Sequence, residues 1–215
     1  MRIEHGGRSP AIDPSAYVSP AAVLSGDVRV GPDSRVLHGA VLTSEGGPVE
    51  VGARCVVMEN AVLRGTRRHP LSLGDDVLVG PRASLSGCTV EDEVFLATGT
   101  TVFNAAVIGR GSEVRVNGIV HVRSVLPPGS MVPIGWVAVG DPAELFPPDQ
   151  HDRLWPIQRE RDFPGTVFGL PRDAPLSELT ARYTRALSRH LEDRVLDAGS
   201  DDSSDGASRG GQNSL

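Results

Sequence analysis

The chain has 215 residues, 21 cationic and 27 acidic side chains, a net charge of −6 and an isoelectric point near 5.5. That balance, with no basic run longer than Arg67-Arg68, argues against a nucleic-acid partner. Every cation is an arginine, so a Schiff-base lysine and a P-loop lysine are both excluded.

The first ten residues, MRIEHGGRSP, read as a lead-in without the apolar run of a secretory signal. No later stretch reaches membrane-spanning length. No membrane partner is therefore expected, and a cytoplasmic location is.

Residues 11–145 read as one repeat domain. From Ile12 an aliphatic residue returns every six positions: Val18, Leu24, Val30, Val36, Leu42. The beat resumes at Val51, Val57 and Leu63, then at Leu73, Val79 and Leu85. It runs unbroken from Val90 to Val132. Four residues after most of these positions stands a small side chain, such as Ala22, Ala40, Cys55, Ala61, Ala83 or Thr100. A fixed short period means a solenoid. Period six fits neither 3.6 nor a heptad, and Gly and Pro recur inside it, so helix is a poor alternative.

Three hexads make a triangular coil of short strands, with aliphatics stacked inside and small residues expected at the corners. Twenty hexads give six to seven coils, enough for each apolar face to be covered by its neighbour. Three extra residues interrupt the beat within 43–50 and four within 64–72. Both insertions are expected to leave the prism as corner loops. Cys55 and Cys88 lack metal or redox spacing.

Residues 146–174 read as a connecting segment. A helix between 149 and 162 would be bent or interrupted by Pro156. A better helix is expected over 175–197, where Leu176, Leu179, Tyr183, Leu187 and Leu191 form an apolar stripe and Asp173 or Ser177 would cap the start. The polar, Gly- and Ser-rich stretch 198–215 is expected to be disordered.

The segments AIDPSAYVSPAAVLSGDVRVGPDSRV, GAVLTSEGGPVEVGARCVVMENAVLRGT, LSLGDDVLVGPRASLSGCTVEDEV and VAVGDPAEL, together with the positions of both insertions, resemble the γ-class carbonic anhydrase-like proteins of the hexapeptide-repeat superfamily. The resemblance covers about two-thirds of the chain. It implies an all-β solenoid, a left-handed parallel β-helix with a C-terminal α-helix along the prism, and a homotrimer.

Enzymes of that family hold Zn²⁺ with three histidines, and the zinc-bound water attacks CO₂. The matching positions here are Arg64, Pro81 and Ser86. Arginine stays protonated, proline has no donor atom and serine is a weak ligand, so zinc chemistry is not expected there. The family's Arg-Gly-Asp reads Thr43-Ser44-Glu45, and of its Gln-Asp pair, here Met58-Glu59, only the acid remains. His38, His69 and His121 lack the spacing of a metal pair, so no metal and no cofactor are expected.

What replaces the imidazoles is cationic. Arg64, Arg67, Arg68 and Arg82 are the candidates for holding a carboxylate or phosphate, with His69 nearby. Their alternative role is ion pairing across subunits to Glu45, Glu59, Asp75 or Asp76. Two functions compete: a trimeric scaffold or small-anion binder, and a hexapeptide-repeat acyltransferase drawing on acyl-CoA. The second needs a general base, for which His69 and His121 are the weak candidates.

Overall fold

The computed structural model describes residues 1–196. Strands of two to five residues form three sheets, the faces of a left-handed parallel β-helix. Two faces carry seven strands each. The third carries eight parallel strands, flanked at either end by an antiparallel one. The result is seven complete coils preceded by one extra rung. That rung is Arg2–Glu4, which pairs with Val23–Ser25, so part of the expected lead-in belongs to the prism.

Strand register explains the beat. Leu24, Leu42, Leu63, Leu85, Val102 and Val120 stack in one column up the third face. The other two faces hold equivalent columns, Val30–Val51–Leu73–Val90–Ile108–Leu126 and Val36–Val57–Val79–Leu96–Val114–Val132. All of these side chains are buried; Ile12 and Val18, at the open end of the prism, are only partly so.

The corners differ from expectation in one respect. The sharp turn is taken three residues after the aliphatic, where Asp33, Arg54, Asn60, Asp76, Arg82, Glu93 and Asn117 all have left-handed backbone. The small residue follows and is buried, as at Ala22, Ala40, Ala61 and Thr100. It is small because it points into the prism behind the turn.

The insertions are not simple corner loops. They lengthen two neighbouring strands to Val41–Glu45 and Val62–Thr66, paired residue for residue. Gly65 permits the return path: a Cβ there would lie 2.3 Å from the Pro48 carbonyl oxygen.

After the last coil, Ala143–Phe146 folds back on Val137–Gly140. Helix α1, His151–Glu160, follows and runs through Pro156 without breaking. Leu154 buries against Val139 and Phe146, closing the prism end and anchoring the helix despite the missing amide donor. Helix α2 spans Phe163–Phe168.

The final helix, α3, is shorter than expected. It covers Leu176–Leu187, has Pro175 at its N-cap and receives no side-chain cap from Asp173 or Ser177. A 3-10 turn over Ser188–Glu192 then delivers Arg194–Leu196 to the sheet, antiparallel to Arg2–Glu4. The expected helix over 175–197 therefore ends ten residues early, because its last residues find backbone partners on the exposed first rung. The expected disordered stretch 198–215 lies outside the described residues. No helix among the described residues is long and apolar enough to cross a membrane.

Leu63 tests the packing account. It is fully buried between Leu42 and Leu85. Leu63→Ala is expected to cost about 2–5 kcal/mol by urea unfolding, the range for a leucine deleted from a core that cannot collapse. Tyr17→Ala on the exposed flank should stay within about 0.5 kcal/mol.

Candidate functional site: an arginine-lined groove

The pleat turns the residue after each inward aliphatic outward. Arg64 follows Leu63, Ser86 follows Leu85, and the two strands pair with Arg64 opposite Ser86. Both line a recess of about 140 Å³ beside α3. The Arg64 guanidinium donates from Nη1 to the Tyr183 hydroxyl at 3.1 Å, while its buried Nε has no acceptor.

Pro81 lies elsewhere. It stands at the next corner, on an apolar depression shared with Leu78, Phe95, Val116 and Ile134. A single chain thus brings together two of the three positions, and Pro81 of the same copy cannot join them. The donors present are one hydroxyl and a cationic guanidinium, which do not fit a zinc ion.

The recess opens into a larger groove of about 400 Å³ between the lengthened strands and α3. Arg67 and Arg68 come from the second insertion. Arg182, Arg185 and Arg189 come from α3 and the turn after it. Arg68 donates to the Gly165 carbonyl at 3.2 Å, Arg182 to the Gly169 carbonyl at 3.0 Å and Arg189 to the Ala186 carbonyl at 3.1 Å. These are backbone contacts and leave the charges uncompensated.

Among the described residues, none of the groove arginines forms an ion pair within the chain. Asp75 and Asp76 are engaged by Arg54 instead, and Glu45, the carboxylate on the groove wall, lies 3.1 Å from His190 Nε2. Arg82 lines neither the groove nor the recess; it is exposed at a corner turn.

The histidines separate as well. His38 is exposed at a corner. His69 sits at the turn of the second insertion, where burial and then the Arg68 charge hold its pKa below the usual value. His121 is buried between Phe103 and Phe163 beside an apolar cavity of about 360 Å³. Burial lowers its pKa, and its Nδ1 has no hydrogen-bond partner. Both cysteines are buried, and burial pushes the Cys88 thiol up to about 12, so neither is poised as a nucleophile.

Sequence reasoning identified Arg64, Arg67 and Arg68 but missed Arg182, Arg185 and Arg189. Their spacing of three and four residues is that of one helical face, which Arg182 and Arg185 share on α3 and Arg189 continues in the turn after it. That signal is present in the sequence, but the apolar stripe of the same segment is the stronger one.

The comparisons with known proteins fit this architecture. No family model matches the chain. It is 32% identical over 145 residues to the mitochondrial γ carbonic anhydrase 1 of Arabidopsis thaliana, covering 65% of this chain and 50% of that protein. It is 26% identical over 161 residues to a carbonic anhydrase of Geobacillus kaustophilus, covering 75% and 85%. To the carboxysome assembly protein of Synechococcus elongatus it is 33% identical over 176 residues, covering 75% and 31%. The chain spans about half the length of the Arabidopsis relatives it matches over 145 residues.

Among solved structures, a Bacillus cereus gene product carried as a candidate acetyltransferase superposes with a TM-score of 0.53 at 22% identity, covering 88% of this chain and 96% of that one. At that identity the likeness speaks for the fold alone. The fold and these relatives define a hexapeptide-repeat β-helix protein. Within that class, the relatives it is similar to are γ carbonic anhydrases and related proteins.

Proposed function

We propose that this protein is a trimeric small-anion binder or scaffold that does not hydrate CO₂. The observation that carries the reading is the groove itself: six arginines, from Arg64 to Arg189, surround it without a carboxylate partner of their own. Guanidinium groups offer planar paired donors that match carboxylate and phosphate, and a cluster of them in a chain of net charge −6 is a local departure that needs a counter-charge. The zinc positions support the negative half of the proposal, since Arg64, Pro81 and Ser86 cannot supply three ligands.

The trimer rests on uncovered apolar surface. Leu176 and Leu191 of the C-terminal stripe are 73% and 88% exposed in a single chain, and Phe95, Val116 and Ile134 make a further patch around Pro81. A second copy seated on that patch would cover it, and only a second copy could bring a Pro81 near Arg64 and Ser86. Sedimentation should give a trimer at micromolar concentration; a stable monomer would refute this part.

A second reading is acyl transfer from acyl-CoA. What favours it is His121, whose depressed pKa keeps a neutral imidazole beside an apolar cavity. One thermal-shift panel separates the two readings. Inorganic phosphate, pyrophosphate and citrate should raise the melting temperature if the groove is a small-anion site. Stabilisation by CoA esters alone, lost in His121→Ala, would favour acyl transfer.

A further inference from the structure

We propose that His5, Glu45 and His190 form a divalent-metal site that clamps the C-terminal segment to the first coil. The three residues come from distant parts of the chain. His5 follows the first rung, Glu45 ends a lengthened strand and His190 lies in the 3-10 turn after α3. One ligand atom from each lies within 4.8 Å of the other two. In a tetrahedral site with ligands about 2.0–2.2 Å from zinc, the ligand atoms stand about 3.3–3.6 Å apart, so the three side chains would draw together around the ion.

Asp193 sets the imidazole orientation. Its carboxylate meets His5 Nδ1 at 2.5 Å through one oxygen and His190 Nδ1 at 2.8 Å through the other. A carboxylate only accepts, so each Nδ1 donates to Asp193, and in the neutral ring the lone pair is then left on Nε2. The rings stack with centroids 4.4 Å apart and planes 25° from parallel. His190 Nε2 lies 3.1 and 3.2 Å from the two Glu45 carboxylate oxygens, a contact that a protonated ring donates and that a neutral ring can make only through a shared cation.

His5 Nε2 is the second, independent sign. The side chain is 3% exposed, and its Nε2 is buried with no partner at all. A buried lone pair without a donor is costly, and a metal would satisfy it. Two imidazoles and a carboxylate, with a second carboxylate behind the imidazoles, are a donor set for Zn²⁺ or a similar first-row dication.

The occupant competing with the metal is a proton on His190, which would make the cluster a simple ion pair. The full chain, stripped with a chelator and dialysed, should bind one equivalent of Zn²⁺ by calorimetry and melt higher with the metal than without. Co²⁺ should give visible absorption of a low-coordinate nitrogen and oxygen site. Glu45→Gln and His5→Gln, which keep side-chain volume close to native, should each weaken zinc binding about tenfold or more. Absence of zinc binding, or zinc binding unchanged in both variants, would overturn the site. The groove reading has its own readout in phosphate binding by the metal-free chain, so failure of one does not imply failure of the other.

Discussion

The purified chain is expected to leave CO₂ hydration at the rate of the buffer alone. Hydration at neutral pH needs a hydroxide, and a bound zinc supplies it by lowering the pKa of water from 15.7 to about 7. At the corresponding positions this chain presents a guanidinium, a pyrrolidine ring and a hydroxyl. A positive side chain there also repels a dication.

The reverse experiment asks whether the backbone still has the geometry. Arg64 and Ser86 are register partners on adjacent parallel strands, so histidines at both sit side by side. Pro81 lies at another corner of the same chain, so a histidine there can join them only from a second copy, as the proposed trimer requires. Arg64→His with Ser86→His should therefore gain weak zinc affinity. Adding Pro81→His should tighten it and bring one further zinc equivalent per chain over the parent protein. Activity need not follow, because partners that orient the ligands are also changed. CO₂ hydration by the parent chain that disappears in Arg64→Ala would contradict this part of the account.

The second large effect concerns the groove. Each well-placed hydrogen bond to a charged group contributes about 1.5–3 kcal/mol. Removing Arg67 and Arg185 together, one from each wall, should thus weaken phosphate or pyrophosphate binding by at least about a hundredfold. Arg82→Ala should leave binding unchanged, since Arg82 lies outside the groove. Rising salt should weaken the interaction as well, because these arginines are exposed and screened. An equal loss in Arg82→Ala would mean a diffuse charge effect rather than a site.

The solenoid was legible because its cause is local: one aliphatic side chain per hexad, facing one way. The same beat made Arg64 and Ser86 neighbours in advance, since each follows a stacked leucine. It also separated Pro81, which follows Val79 on a different face. The insertions were visible as lost register, but not as lengthened strands, because pairing between Val41–Glu45 and Val62–Thr66 depends on two irregular segments having matching lengths.

The C-terminal end was the least legible. Nothing in Arg194–Leu196 distinguishes a helix end from a strand until the open rung Arg2–Glu4 is in place to pair with it. The cluster of His5, Glu45 and His190 stayed hidden for the same reason: His5 and His190 stand at opposite ends of the described chain, and only the closing of that segment brings them together. The apolar stripe is the stronger pattern in this segment, so the arginines that share it were not legible as a second lining of the groove.

The central claim is that the arginines at this site serve a bound anion and not a subunit contact. The most direct measurement combines phosphate titration by calorimetry with sedimentation, on the parent chain and on Arg64→Ala. The account predicts saturable binding by the parent, weakened about tenfold or more in the variant, with the trimer intact in both. No heat of binding in the parent, together with a trimer that falls apart in Arg64→Ala, would show that the arginines are interface ion pairs.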